Sequence, residues 1–191
     1  MRVVAFNGSP RAEGNTSAMI MHLFQELEKE GIETELVQVG GHGIHGCIAC
    51  GKCLERADGR CAIEGDMVNE CIAKMVEADG IVLGSPTYFA DLTPETKALI
   101  DRAGMVAKSN DDMLRRKVGA AVVAVRRAGA IHAFDSINHF FLISQMIVVG
   151  SSYWNIGIGL EKGSVEHDLE GVRTMWTLGK NMAWLLRKVQ N

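Results

Sequence analysis

Short apolar runs rich in β-branched residues alternate along this chain with longer segments of helical periodicity. Such alternation is typical of a parallel β-sheet covered by helices on both faces. The fourth run is almost wholly apolar, as a strand buried on both faces requires. Five strands are predicted, at residues 3–6, 33–39, 80–83, 118–125 and 146–149.

Helical periodicity follows each of these strands. Thr93 is a suitable N-cap and Pro94 a suitable first residue for the third helix. Five strands alternating with five helices fit a flavodoxin-like α/β fold, a three-layer sandwich with strand order 2-1-3-4-5. With 191 residues, 47% of them hydrophobic, the chain is long enough to bury one core. We therefore expect a single domain over residues 1–191, with a cysteine-rich loop at 40–65. The predicted helices span residues 16–30, 66–78, 94–107, 131–145 and 168–189.

The loop after strand one is the first candidate site. In this fold, ligands bind outside the carboxyl ends of the strands, where strands one and three lie side by side. Residues 8–17 lead from a strand into a helix and contain glycines and hydroxyl side chains. This composition predicts a phosphate site at a helix N-terminus. No lysine follows the second glycine, so it is not a Walker loop. An ordinary turn with Thr16 as helix cap is the alternative.

The loop after strand three, residues 84–93, is the second candidate site. It places Tyr88 and Phe89 at the end of a buried strand. Aromatic side chains in that position suit a planar ligand. The alternative is that the two rings cover the core or a subunit interface. Residues 41–46 match G-x-G-x-x-G, but they lead into cysteines and not into a helix, so we reject them as a dinucleotide fingerprint.

A compact cysteine cluster has the spacing C-x2-C-x2-C-x7-C, typical of iron–sulfur ligands: Cys47, Cys50, Cys53 and Cys61. Three alternatives stay open. Disulfides fit poorly with an odd total of five cysteines. Zinc is a second alternative, with His42 and His45 close enough in sequence to contribute. Thiols without any metal are the third. Cys71 stands apart and is expected to be a small buried hydrophobe.

Charge and hydropathy exclude several classes of function. The formal net charge is −3 and no cluster of Lys or Arg occurs, so no nucleic-acid partner is expected. No apolar run reaches the roughly 18 residues that span a bilayer, so no membrane association is expected. Reduced cysteines without a secretory signal predict a cytoplasmic protein.

Several motifs together make the chain resemble the iron–sulfur flavoproteins of the NADPH-dependent FMN reductase-like group. They are Gly-Ser-Pro-Arg at 8–11, Gly-Asn-Thr at 14–16, the cysteine loop, Glu-Ala-Asp-Gly at 77–80, Gly-Ser-Pro-Thr-Tyr at 84–88 and Lys-Ala-Leu-Ile-Asp-Arg at 97–102. The resemblance extends over nearly the whole chain. It implies a flavodoxin-like fold, one FMN, a [4Fe-4S] cluster on the four cysteines and a homodimer or homotetramer.

The resemblance also implies a set of cofactor-binding residues. The FMN phosphate would be held by Ser9, Arg11, Asn15, Thr16 and Ser17, and the flavin would be lined by Pro86, Thr87, Tyr88 and Phe89. After strand four, relatives often carry a glycine-rich stretch where this chain has Arg126 and Arg127. Arg126 is expected to stabilise the reduced flavin or meet a nucleotide phosphate, unless both arginines are simply solvated. Residues 151–157 either reach a neighbouring subunit's flavin or pack on their own domain.

Electron transfer through two cofactors is the function that these expectations favour. FMN exchanges electrons in pairs or singly and a cluster exchanges them singly, so together they connect NAD(P)H or ferredoxin to a small acceptor. Two alternatives stay open. One is an NAD(P)H-dependent FMN or quinone reductase without a cluster, and the other is a non-enzymatic electron carrier that docks to a ferredoxin-like partner.

Overall fold

The computed structural model describes residues 1–189, which form one six-stranded parallel sheet. The strand order is β2-β1-β3-β4-β5, and β6 also pairs with β4. The predicted flavodoxin-like order is thus confirmed. The strands are β1 (Arg2–Asn7), β2 (Glu33–Gln38), β3 (Gly80–Pro86), β4 (Val118–Val125), β5 (Ile147–Val148) and β6 (Ile156–Ile158).

The fifth position of the sheet departs from the prediction. One strand was expected at residues 146–149, but two short strands occupy that edge. β5 pairs with the start of β4, and β6 pairs with its end, at Val123–Val125. Only three residues separate the two paired stretches of β4, whereas seven separate β5 from β6. The surplus chain leaves the sheet as a loop, and this insertion hides β6 from a search for one continuous apolar run.

Six α-helices surround the sheet in the described part of the chain. Five lie within about two residues of the predicted bounds. The sixth, α2, is a single short turn inside the cysteine loop and was not predicted. The helices are α1 (Asn15–Lys29), α2 (Lys52–Arg56), α3 (Val68–Glu77), α4 (Pro94–Ser109), α5 (Ala130–Ile143) and α6 (Leu169–Val189), with a 3-10 turn at Ser164–His167.

Side chains alternate between the two faces of the sheet with the period of two that a strand imposes. In β1, Val3 and Ala5 pack with α1 and α6, whereas Val4 and Phe6 pack with α3, α4 and α5. Every residue of β4 is buried, as a central strand covered on both faces requires. The three layers are therefore helices, sheet and helices. Within residues 1–189, no helix is both long and apolar enough to cross a bilayer.

Three loops meet at the carboxyl edge of the sheet. The backbone N–H of Gly8 donates to the carbonyl of Gly84 over 2.7 Å, and the Thr93 hydroxyl donates to the Gly8 carbonyl over 2.8 Å. Gly40, just after β2, approaches so closely that a Cβ there would lie 2.3 Å from the Gly8 oxygen. These contacts join the loops after β1, β2 and β3 into one rigid base at the edge where ligands of this fold bind.

Candidate functional site

A cleft of about 530 Å³ opens at this carboxyl edge. It lies between the loop after β1, the loop after β3 and the end of β4. Of the residues predicted to bind cofactor, all except Ser17 and Phe89 line it. The lining residues are Ser9, Arg11, Asn15, Thr16, Pro86, Thr87, Tyr88, Ala124, Val125, Arg126, Gly159 and Leu160.

Two hydroxyl groups in this cleft are buried without a partner among the described residues. They are the Oγ1 atoms of Thr16, in the first turn of α1, and of Thr87, just after β3. A buried hydroxyl without a hydrogen bond costs about 1–3 kcal/mol in proteins, and a ligand in the cleft that accepts from both groups would remove this cost. The cleft therefore fits a molecule with acceptors near both loops, as a flavin nucleotide has.

The Thr16 hydroxyl lies at the N-terminus of α1, where anions are favoured. Helix α1 is capped by Gly14, which offers no side-chain hydrogen bond, and its first turn has no acidic residue. The first N–H groups of the helix thus keep their positive dipole end available. Arg11 lines the same cleft and adds a cation. Together these groups form a site suited to a phosphate.

Hydrogen bonds within the loop hold this phosphate-type site in shape. The Asn7 Oδ1 atom accepts from the Ser9 N–H over 3.1 Å, and the Ser9 Oγ atom accepts from the Arg11 N–H over 3.2 Å. The Gln38 side chain donates to the Ser9 carbonyl over 2.6 Å. Asn15 Nδ2 donates to the Glu161 carbonyl over 3.0 Å, which joins the loop to the opposite wall. The Ser9 and Asn15 side chains therefore already serve to fix the cleft.

The other predicted residues take different positions. The Ser17 hydroxyl donates to the Gly14 carbonyl over 2.9 Å and lies outside the cleft. Phe89 also lies outside it, with 106% relative exposure and a φ of 46° in a tight turn closed by hydrogen bonds between Tyr88 and Asp91. A positive φ is costly for a residue with a Cβ, so this turn is held by its surroundings.

Sequence reasoning missed four residues of the cleft wall. Ala124 and Val125 end β4, and their apolar side chains carry no chemical signal. Gly159 and Leu160 follow β6, the strand that was not predicted, and the Gly159 N–H donates to the Val125 carbonyl over 2.8 Å. A search that allowed a second short strand after β5 would have found Gly159 and Leu160.

The four cysteines of the C-x2-C-x2-C-x7-C cluster line a second, smaller cavity of about 360 Å³. Its other walls are mostly apolar and include Ile63, Met105 and Val106. Cys47 and Cys50 are exposed, whereas Cys53 and Cys61 are partly buried, and all five cysteines of the chain are free. Among residues 1–189, no three of His, Cys, Asp and Glu are gathered as a metal-binding group. The donor type and the shared cavity fit a cluster, and the cysteines must converge to bind one.

A buried arginine that the sequence analysis did not single out ties this loop to α4. Arg102 has a fully buried side chain and forms an ion pair with Asp66, whose side chain is 8% exposed. Burial opposes ionisation of Asp66, but its hydrogen bonds with Arg102, Val68 and His45 together prevail and lower its pKa. Burial likewise opposes the charge on Arg102, whereas Asp66 and Cys61 raise the pKa of the guanidinium.

The remaining candidate ligands do not form a site. Cys71 is fully buried, and burial raises the pKa of its thiol to about 12, so it is a core residue as predicted. The backbone N–H of His45 donates to Asp66 over 3.2 Å, and its ring Nδ1 lies 2.9 Å from the Gly46 carbonyl. Neither His42 nor His45 lines the cysteine cavity.

Comparison with known proteins identifies the family. The family model described as NADPH-dependent FMN reductase matches residues 1–161. The chain belongs to the NADPH-dependent FMN reductase family. Within it, the chain is similar to an iron-sulfur flavoprotein of Methanocaldococcus jannaschii, 38% identical over the full length of both chains. It is also 32% identical to an iron-sulfur flavoprotein of Methanosarcina thermophila, over 100% of this chain and 97% of that one. The predicted family resemblance is confirmed.

Solved structures agree on the fold of this FMN reductase family member. The crystal structure of RosB with bound 8-demethyl-8-formylriboflavin-5'-phosphate has a TM-score of 0.75 at 21% identity, covering 100% of this chain and 80% of that one. A flavodoxin, WrbA-like protein from Agrobacterium tumefaciens has a TM-score of 0.68 at 15% identity, covering 98% and 97%. At these identities the likeness establishes the flavodoxin-like architecture alone.

Proposed function

We propose that this FMN-dependent oxidoreductase transfers electrons from NAD(P)H or ferredoxin to a small acceptor, through FMN in the cleft and a [4Fe-4S] cluster on Cys47, Cys50, Cys53 and Cys61. Family membership makes FMN the cofactor and redox chemistry the activity. One observation carries the placement of FMN: the unpartnered hydroxyls of Thr16 and Thr87 lie in the same cleft at the switch point of the sheet. The cluster and the redox partners are the further part of the proposal.

The residues of the cleft divide the binding of FMN between them. The Arg11 guanidinium, the Thr16 hydroxyl and the first N–H groups of α1 would hold the phosphate. Thr87 and Tyr88 would border the flavin, with the apolar ends of β4 excluding water from it. Arg126 also lines the cleft and would supply a cation that favours the anionic reduced form of the flavin. FMN exchanges one or two electrons, so it connects a hydride donor to single-electron partners.

Rapid anaerobic mixing tests this function. The FMN-loaded chain is mixed with NADPH, with NADH and with chemically reduced ferredoxin in separate experiments, and the flavin absorbance is followed. We expect bleaching of the flavin within the turnover time by at least one of these donors. Flavin that none of the three donors reduces would contradict the oxidoreductase proposal. Thr87→Val tests the placement of FMN in the cleft. It keeps the shape of the side chain and removes one unpartnered hydroxyl, so it should weaken FMN binding.

A reductase without a cluster is the second candidate. The observation in its favour is that no three metal-binding side chains are gathered in the described residues 1–189. Removal of iron by a chelator distinguishes the two. If electron transfer to a single-electron acceptor persists at the same rate without iron, the simpler flavin reductase is the better account. If that rate falls while FMN stays bound, the cluster takes part.

A homodimer or homotetramer is also part of the proposal, on the strength of the family resemblance. The fully exposed ring of Phe89, next to the half-exposed Tyr88 of the cleft, supports a neighbouring subunit at this edge. Sedimentation of the wild type and of Phe89→Ser tests it, because loss of a contact there would shift the mass toward the monomer. The cytoplasmic location and a ferredoxin-like partner stay predictions.

A further inference from the structure

One face of α4 forms a wall of the cysteine cavity. Arg102, Met105 and Val106 line the cavity, and Ser109 follows at the next position on the same face. The spacing of three, four and seven residues is that of a single helical stripe. Two members of the stripe donate to cysteine sulfurs: Arg102 Nε lies 3.3 Å from Cys61 Sγ, and Ser109 Oγ lies 3.8 Å from Cys53 Sγ.

Arg102 is buried, and its guanidinium is surrounded by hydrogen-bond acceptors. Its residue exposure is 1%, and apart from Cys61 it donates to the His45 carbonyl over 3.1 Å and the Ile63 carbonyl over 2.9 Å. It also pairs with Asp66. A buried charge is costly unless each donor finds a partner, and an apolar side chain would fill the same space without that cost. The guanidinium therefore has a task that depends on its N–H groups.

We propose that Arg102 is a positioning residue for the cluster: it clamps the two ends of the cysteine loop to α4 and directs one N–H at the Cys61 sulfur, which raises the cluster's reduction potential. This inference rests on the proposed function. Reduction adds one electron, and thus one negative charge, to the cluster and its sulfurs. An N–H donor to a ligand sulfur stabilises that added charge.

Because Arg102 is paired with Asp66, the reduction potential should change in opposite directions when one or the other is replaced, which a purely structural role would not produce. Asp66 offsets the positive charge of Arg102 in the oxidised and the reduced cluster alike. Asp66→Asn leaves the guanidinium uncompensated, so the potential should rise. Arg102→Met leaves the Asp66 carboxylate uncompensated and removes the N–H to sulfur, so the potential should fall. Arg102→Lys keeps a positive charge but lacks the planar guanidinium with its several N–H donors, so its reduction potential should lie between those of Arg102→Met and the wild type.

The experiment is an anaerobic redox titration of the full-length chain with dithionite as the reductant. Electron paramagnetic resonance follows the reduced cluster, and iron, sulfide and FMN are counted per chain. For Arg102→Met we expect the reduction equilibrium to shift about tenfold toward the oxidised cluster, which equals about 59 mV for one electron. The control Ser109→Ala loses a longer and uncharged hydrogen bond, so we expect a shift of about twofold or less in the same direction.

The reduction potentials and the iron counts decide the inference. A potential that falls in Arg102→Met and rises in Asp66→Asn supports it. Equal potentials in all variants overturn it, as does a fall in Asp66→Asn. If Arg102→Met binds no iron, the reduction potentials of the other three proteins decide: the inference requires that the potential rises from Arg102→Lys to the wild type to Asp66→Asn, and any other order overturns it. A wild-type chain that holds FMN but no iron would refute the cluster itself, and its iron count separates that failure from an error about Arg102 alone.

Discussion

Replacing Thr16 by valine removes one buried hydroxyl and keeps the branched shape of the side chain. Thr16 is 1% exposed. Its Cγ2 atom packs against Gly84, only 3.0 Å from the position that a Cβ on that glycine would take. Valine retains that methyl group. Because the hydroxyl has no partner among the described residues, its loss breaks no hydrogen bond in the protein without FMN. We therefore expect the cofactor-free variant to be at least as stable as the wild type, and by up to about 1 kcal/mol more stable.

Binding of FMN should change in the opposite direction. A hydrogen bond to a charged group is worth about 1.5–3 kcal/mol, and about 1.4 kcal/mol corresponds to a factor of ten in affinity. Thr16→Val should thus weaken FMN binding about 10- to 100-fold. Fluorescence titration of FMN into the cofactor-free protein measures the affinity, and urea unfolding of the same preparation measures the stability.

Ser144→Ala is the matched control for Thr16→Val. Its hydroxyl is also buried without a partner, but Ser144 follows α5 and lies outside the cleft. It should leave the FMN affinity unchanged. Equal FMN affinity in Thr16→Val and the wild type would refute the phosphate assignment. A fall in affinity with an equal fall in the stability of the cofactor-free protein would mean that the change damaged the loop instead.

Three other perturbations test separate parts of the account. Cys53→Ala should abolish iron binding and keep FMN, because the two sites use different loops, whereas Cys71→Ala should keep both; metal and flavin counts measure this. Gly40→Ala would place a Cβ 2.3 Å from the Gly8 oxygen, so it should lower the melting temperature by several degrees and weaken FMN binding. In the control Gly43→Ala, the added Cβ meets nothing within 4 Å, so the melting temperature and the FMN affinity should stay unchanged. Glu35 accepts a hydrogen bond from Lys74 over 2.7 Å, and mainly this bond lowers the pKa of Glu35 below the ordinary 4.5. Glu35→Gln should therefore be less stable than the wild type above pH 4.5, and this difference in stability should vanish as pH falls below the lowered pKa. Glu33→Gln, which removes only a 3.8 Å contact to Arg2, should change the stability less. A difference for Glu35→Gln that grows on acidification would contradict the ion-pair argument.

The sheet was predictable because burial on both faces leaves a direct signature in the sequence. Val118–Val125 is wholly apolar and is found as predicted, and Pro94 begins α4 as its fixed φ favours. The fifth strand is found inside its predicted range, as β5, but β6 was missed for a physical reason. An edge strand needs few residues, and a seven-residue loop between β5 and β6 broke the apolar pattern that a strand search requires.

The candidate sites were predictable only in part, because side-chain partners are set by tertiary contacts. Thr16 and Thr87 were placed by their motifs, but their unpaired hydroxyls emerge only when the loops are packed. Arg102 stands in a helix whose pattern gave no sign that its guanidinium would be buried against Asp66 and Cys61. Phe89 lies outside the cleft in a turn where its φ is positive, a conformation that the presence of a phenylalanine in the sequence does not predict.

A cofactor count on the anaerobically purified chain shows whether FMN and a cluster are both bound. Iron, acid-labile sulfide, zinc and FMN are measured against protein in the same sample, together with the visible spectrum. The account predicts about one FMN, four iron and four sulfide per chain. FMN without iron would contradict the cluster and leave a simple flavin reductase. Zinc in place of iron would make the cysteine loop a structural clip, and a chain that binds no FMN would contradict the account as a whole.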